Sequence, residues 1–211
     1  MKNFEDKDIE IRESFAGWSK SYGSEVQQNL YSKWNEFNKL YFEDSKMVQP
    51  IIELDTPTNP RRLGQFSPRD ISGITGKILI RPSLLKRYYG SLENCKASRM
   101  AFIEDVLLHE MIHQHCHEIL GRPEFSYNGH GPVFKSECNR IGAIMGLSPV
   151  RDCKARGSDS HLPSCSYWPH CVRISDFEAP KRAKPKYFQM RVPIEFESEM
   201  IAYLAELQSN A

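Results

Sequence analysis

Two histidines and a glutamate in the run Val106-Leu-Leu-His109-Glu110-Met-Ile-His113 have the types and spacing for metal-assisted hydrolysis. Four residues apart on a helix, His109 and His113 project from one face, a turn apart. Two imidazoles so placed can grip one Zn2+, and Glu110 can sit beside its open coordination position. The bland reading is a pair of surface histidines on an ordinary helix. The surrounding apolar residues weigh against it, because an unpaired imidazole in an apolar interior is costly. Metal ligation relieves that cost, and so does a hydrogen bond to a neighbour.

A catalytic zinc usually takes three protein ligands and keeps a position for water. Candidates for the third are His130, His117, His115 and Glu137. His115 lies about 240° round the helix from His109, off the shared face. His117 is about 80° away and two turns along, which strains joint ligation. Glu137 falls within a helical pattern with no supporting glutamates nearby. His130, in Gly129-His130-Gly131-Pro132, has flexible neighbours and the right donor chemistry, so it is favoured. The continuation H-x-x-G-x-x-H fails, since Ile119 occupies its last position.

The elements that must position these residues follow from periodicity. Ser24, with Gln27 three positions later, has capping-box spacing, and Val26, Leu30, Trp34, Phe37, Leu40 and Tyr41 form one apolar stripe behind it. Ile51–Leu54, Leu63–Phe66 and Lys77–Arg81 read as short strands separated by turns at 55–60 and 71–76. Pro82 and Ser83 open a short helix. The motif helix is expected from about Ala97 to Leu120, apolar almost all round and therefore buried, with Gly121 as its cap and Pro123 barring continuation. Pro132 starts a further helix whose inner face is Val133, Phe134, Cys138, Ile141 and Ile144. The expected fold class is α+β, a small antiparallel sheet packed on a central zinc-binding helix.

Bulk properties exclude several classes. The chain has 211 residues, 40% hydrophobic and 26% charged, with a net charge of +1, as in ordinary globular proteins. No apolar run approaches the roughly 20 residues of a membrane span. The charged N-terminus does not suit a signal peptide, and six scattered cysteines without a C-x-x-C pair read as reduced thiols. A cytoplasmic location, away from membranes, is expected.

His109-Glu-Met-Ile-His113 followed by Gly129-His-Gly-Pro-Val-Phe-Lys135 resembles the SprT-like zinc metallopeptidase family, which includes the Spartan DNA–protein crosslink protease. Leu40-Tyr-Phe, Leu63-Gly-Gln-Phe66 and Ile78-Leu-Ile-Arg-Pro-Ser-Leu-Leu85 resemble its lead-in, so the likeness runs from about 24 to 147. The resemblance implies a zincin-like fold, one catalytic Zn2+ on His109, His113 and His130, and Glu110 as the catalytic residue. It also implies a protein or peptide substrate. The chain departs from many bacterial relatives in lacking a C-terminal zinc ribbon, and from Spartan-like members in lacking long tails with partner-binding motifs. These differences leave the peptidase chemistry untouched but remove support for a crosslink substrate.

The expected organisation is a polar N-terminal arm (1–23), loosely held, a metallopeptidase domain (24–147) and a C-terminal extension (148–211). In the extension, Cys153, His161, Cys165, His170 and Cys171 fit no standard zinc spacing, so no second structural zinc is expected. Trp168 reads as a packing element. Lys181, Arg182, Lys184 and Lys186, with Arg191, form a basic, Pro-stiffened linker whose sharper reading is a DNA phosphate contact. A terminal amphipathic helix is expected over 193–207. A substrate strand could join the sheet edge near Lys77–Arg81, and Tyr127 is a guess for the oxyanion donor. The rival reading is a nucleic-acid- or partner-binding module whose zinc is structural or vestigial.

Overall fold

The computed structural model describes residues 6, 9–14, 16–17, 24–43, 47–59, 61–68, 76–90 and 93–173. The basic linker and the terminal helix expected over 193–207 lie outside the described residues, as does most of the 71–76 turn. Four α-helices are named here, α1 (Glu25–Tyr41), α2 (Pro82–Tyr89), α3 (Glu93–Glu118) and α4 (Pro132–Ile144), with strands β1 (Ile51–Glu53), β2 (Gly64–Ser67) and β3 (Lys77–Ile80). The architecture is α+β, as expected from sequence. None of the described helices is long and apolar enough to cross a membrane.

The sheet is mixed, which corrects the antiparallel expectation. Its order is β1-β3-β2, with β1 parallel to β3 (Ile52 opposite Ile78) and β2 antiparallel to it (Phe66 opposite Ile78). Two chain reversals bring the third strand back in the direction of the first, and it inserts between its predecessors. Periodicity reports a strand's faces and is silent on its neighbours. The central position of β3 also rules out a substrate strand on Lys77–Ile80, because both of its edges are paired. Arg81 itself donates its N–H to the Leu63 carbonyl (2.8 Å).

Helix α1 closes the β1 edge. Ser24 caps it, its hydroxyl accepting from the Gln27 N–H (3.3 Å). The Gln27 side chain does not return to Ser24, as a full capping box would have it, but donates to the Ile52 carbonyl (3.0 Å). The Ile52 N–H in turn donates to the Tyr31 hydroxyl (2.9 Å). Both backbone groups of Ile52 are therefore satisfied by α1, which protects that edge. Tyr31 is buried, whereas Leu40, assigned to the apolar stripe from sequence, is 56% exposed.

Helix α3 is the centre of the core. Ile103, Val106, Leu107, Leu108, Met111 and Ile112 are each at most 3% exposed, and the helix packs against β2, β3 and the other three helices. Ile119 and Leu120 lie past its end and are exposed, so the apolar run overstates the helix by a half-turn. Gly121, at φ +60, turns the chain, and the Arg122 N–H returns to the Cys116 carbonyl (2.7 Å). In α4, Phe134, Cys138 and Ile141 are buried as expected, but Ile144 is 61% exposed.

Polar links tie α3 to the rest. The buried Gln114 accepts from the Trp34 indole N–H (3.1 Å) and donates to the Val48 carbonyl (2.7 Å) and to Glu118 (2.8 Å). Arg12, only 5% exposed, donates to Glu118 (3.1 Å) and to the Val48 carbonyl (3.0 Å). Among the described residues of the N-terminal segment, Arg12 is thus anchored to α3 and to the chain at Val48. One guanidinium does this, and one charge leaves no periodic trace in sequence. Gln114→Leu keeps the volume but strands the Trp34 N–H and leaves Val48 and Glu118 to Arg12 alone, so it should lower stability by about 1–3 kcal/mol. The urea midpoint should fall at unchanged slope, and adding Trp34→Phe should recover part of the loss.

Candidate metal centre

His109 and His113 stand one turn apart on α3 with ring centroids 5.0 Å apart. His130 comes back to them from the loop before α4, 5.2 Å from His109 and 4.8 Å from His113 between centroids. One nitrogen from each ring lies within 4.8 Å of the other two. Phe134, in the first turn of α4, packs against all three rings at 4.4–5.0 Å. It forms an apolar backing behind the donors.

The His109 Nδ1 lies 2.7 Å from the Trp168 carbonyl. A carbonyl only accepts, so the ring carries its proton on Nδ1 and leaves Nε2 a bare lone pair. That Nε2 sits 3.1 Å from the His130 Nε2. Burial, helped by His130, pushes His109 down to about 3. Burial also takes His130 to about 4 and His113 well below its ordinary value. All three are neutral donors at pH 7.

These residues fit zinc. Tetrahedral Zn–N bonds of about 2.0–2.1 Å put donor atoms roughly 3.4 Å apart. The His109–His130 pair is near that spacing, and all three donors lie within 4.8 Å of one another. The carbonyl behind His109 is the kind of partner that orients a ligating imidazole.

Glu110 is 6% exposed and accepts from the Phe66 N–H of β2 (2.7 Å). Burial pushes its carboxyl up to about 7, against the pull of that N–H and of Arg62. It shares a cleft of about 660 Å³ with the three histidines. The β2 strand comes so close that a Cβ on Gly64 would lie 2.8 Å from Val106 and 2.9 Å from the Glu110 carboxylate. Only glycine allows this approach.

The other candidates go elsewhere. His115 sits by Glu137 (3.5 Å) and against Phe42, and Glu137 is held by Arg140 (2.8 Å). His117 lines the outer cleft against Phe66 but is not part of the three-histidine group. The Tyr127 ring carries the Lys154 ammonium at 4.8 Å and does not line the cleft, which removes it as an oxyanion donor. The basic residues Lys181, Arg182, Lys184 and Lys186 lie outside the described residues.

Two contributors have no sequence signal. One is the Trp168 carbonyl, a backbone group fifty-nine residues from His109. Trp168 and Cys165 are buried in the same core as α3, and Arg173 makes a bidentate pair with the buried Asp105 of α3. The other is Glu124. Its carboxylate accepts from the N–H groups of Val133 (2.9 Å) and Phe134 (3.0 Å), the second and third residues of α4. An N-cap side chain normally satisfies these two, but the cap here is Gly131. A Cβ at Gly131 would lie 2.5 Å from the Glu124 carboxylate. An anion at a helix N-terminus is further favoured by the helix dipole.

Glu124 therefore fastens one end of the His130 loop, and the Cys153 N–H fastens the other by donating to the His130 carbonyl (3.0 Å). Glu124→Ala should destabilise the protein by about 1–2 kcal/mol and weaken zinc binding by about tenfold or more. Chelator competition measures the second effect. Unchanged metal affinity would show that His130 is positioned without Glu124.

Comparison with known proteins gives one family. Residues 91–155 match the model of the SprT-like family, a span that includes the whole of α3, the His130 loop and α4. No curated protein and no solved structure matches the chain. Over that span the chain is similar to the SprT-like family, in line with the resemblance its motifs carry.

Proposed function

We infer that this protein is a zinc-dependent endopeptidase of the SprT-like type. The observation that carries the reading is the convergence of three neutral imidazoles, donors within 4.8 Å of one another, beside the buried carboxylate of Glu110. The ligands are His109, His113 and His130, and the arrangement is zincin-like. Zinc bound there supplies a Lewis acid and brings the pKa of a coordinated water towards about 7.

The remaining work falls to the chain. Glu110 takes a proton from the attacking water and later gives it to the leaving amine. The Phe66 N–H keeps one carboxylate oxygen on the β2 side, so the carboxylate is oriented before substrate arrives. Extended substrate suits the outer edge of β2. Because Leu63 pairs with Arg81 and Gln65 lies opposite Leu79, the backbone of Gly64 and Phe66 faces away from β3. Main-chain pairing there holds a peptide extended over the cleft.

Metal analysis of the purified chain should give one zinc per molecule, and His130→Ala should lower that occupancy. Removing the metal with a chelator should abolish cleavage of an unstructured protein, and added zinc should restore it. Glu110→Gln should keep the zinc and the fold while slowing cleavage by about 10²–10⁴. Cleavage at the wild-type rate by Glu110→Gln would overturn the mechanism. Zinc retention without any Glu110-dependent cleavage would favour the binding-module reading.

A further inference from the structure

Three arginines gather at one end of the β2–β3 hairpin. Arg61 and Arg62 immediately precede β2, and Arg81 follows β3, paired through its backbone with Leu63. All three line the cleft, where the only carboxylate among the described lining residues is Glu110. Arg61 and Arg62 are exposed and Arg81 is half-buried. None of them makes a salt bridge among the described residues.

Like charges collected in one place repel unless an anion joins them. The nearest acidic side chain in sequence to the metal loop, Glu124, is occupied at the start of α4. Arg62 is close enough for its charge to act on Glu110, His113 and His130. The arginines therefore face the place where a substrate would lie.

We propose that the cleft selects peptide segments bearing acidic side chains, which Arg62, with Arg61 and Arg81, holds a few residues from the bond to be cut. This rests on the peptidase reading. Phe66 marks the level of Glu110 along β2, and Arg62 precedes it by four residues, roughly 13 Å of strand. A long arginine side chain covers part of that distance. An acidic residue about two to four positions from the scissile bond can thus meet a guanidinium, and a carboxylate can accept from it in bidentate fashion. An acidic peptide suits the site better than a nucleic-acid strand, because the arginines adjoin the outer edge of β2, which, apart from the Phe66 N–H held by Glu110, can pair with a peptide main chain.

The test uses the zinc-loaded full chain carrying Glu110→Gln, which binds without turnover. Two labelled, unstructured peptides of equal length, one with glutamates and one with glutamines at the same positions, are titrated by fluorescence anisotropy. The acidic peptide should bind about tenfold more tightly, and higher salt should shrink the gap. Arg62→Gln should remove most of the preference, as should the paired Arg61→Gln and Arg81→Gln variant. Equal binding of the two peptides overturns the proposal. So does a single-stranded oligonucleotide that binds through the same arginines while the glutamates gain nothing. Cleavage of a neutral unstructured protein by the wild-type chain separates the two readings. If Glu110-dependent cleavage occurs without any charge preference, only the selection falls. If the preference holds and no such cleavage occurs, the peptidase reading falls and the arginines stand as a binding site for acidic segments.

Discussion

Seating of the half-buried His109 ring on the Trp168 carbonyl is the contact on which the arrangement of this protein depends. Helix α3 runs through the core, and an imidazole on it must find a polar partner or lose stability. The carbonyl provides that partner, and because it only accepts it also fixes which nitrogen is free. The same contact requires the chain beyond α4 to return to the centre. Val150, Cys165, Trp168 and Val172 are part of one hydrophobic core with α3. Asp105 and Arg173 fasten the segment a turn before the motif. One ring thus links the packing of the C-terminal stretch to the direction of a lone pair.

The two sides of the sheet have different fates for reasons of local bonding. Along β1, Tyr31 and Gln27 of α1 use both backbone groups of Ile52, so that edge accepts no further strand. Along β2, the outward Phe66 N–H is taken by Glu110, and Gly64 gives up a side chain so that the strand can approach α3. The carboxylate bonded to the strand is therefore at the one open sheet edge among the described strands. Glu110 joins the helix that carries the imidazoles to the strand best placed to hold a substrate.

The parts legible in sequence were those written in periodicity or in side-chain chemistry. The apolar run around His109 predicts a buried helix, and glycines on both sides of His130 predict a loop able to return. What could not be read was carried by backbone groups and by pairings at a distance. The Trp168 carbonyl has no residue-type signature at all. Glu124 looks like a loop glutamate until the fold sets it against a helix start capped only by Gly131. The parallel pairing of β1 with β3 depends on how many times the chain reverses, which alternating hydrophobicity does not record. Leu40, Ile119, Leu120 and Ile144 misled for a related reason. Ile119 and Leu120 continue an apolar pattern past the end of α3, whereas Leu40 and Ile144 point off the buried face, since Phe42 and Met145 just beyond them still pack on the core.

The electrostatics of the centre are compatible with a bound cation. Burial moves the groups in opposite senses, raising the Glu110 carboxyl to about 7 and lowering His109 to about 3 and His130 to about 4. In each case the interior disfavours the charged form. A site left so would keep three neutral rings, the His109 lone pair facing the His130 ring, and a carboxyl half-protonated near neutral pH. A divalent ion reverses the balance at both ends. It uses the lone pairs that burial leaves unprotonated, and its field favours the ionised carboxylate that burial opposes. The imidazoles and Glu110 are thus complementary to one positive charge centre, and each becomes more useful when it is present.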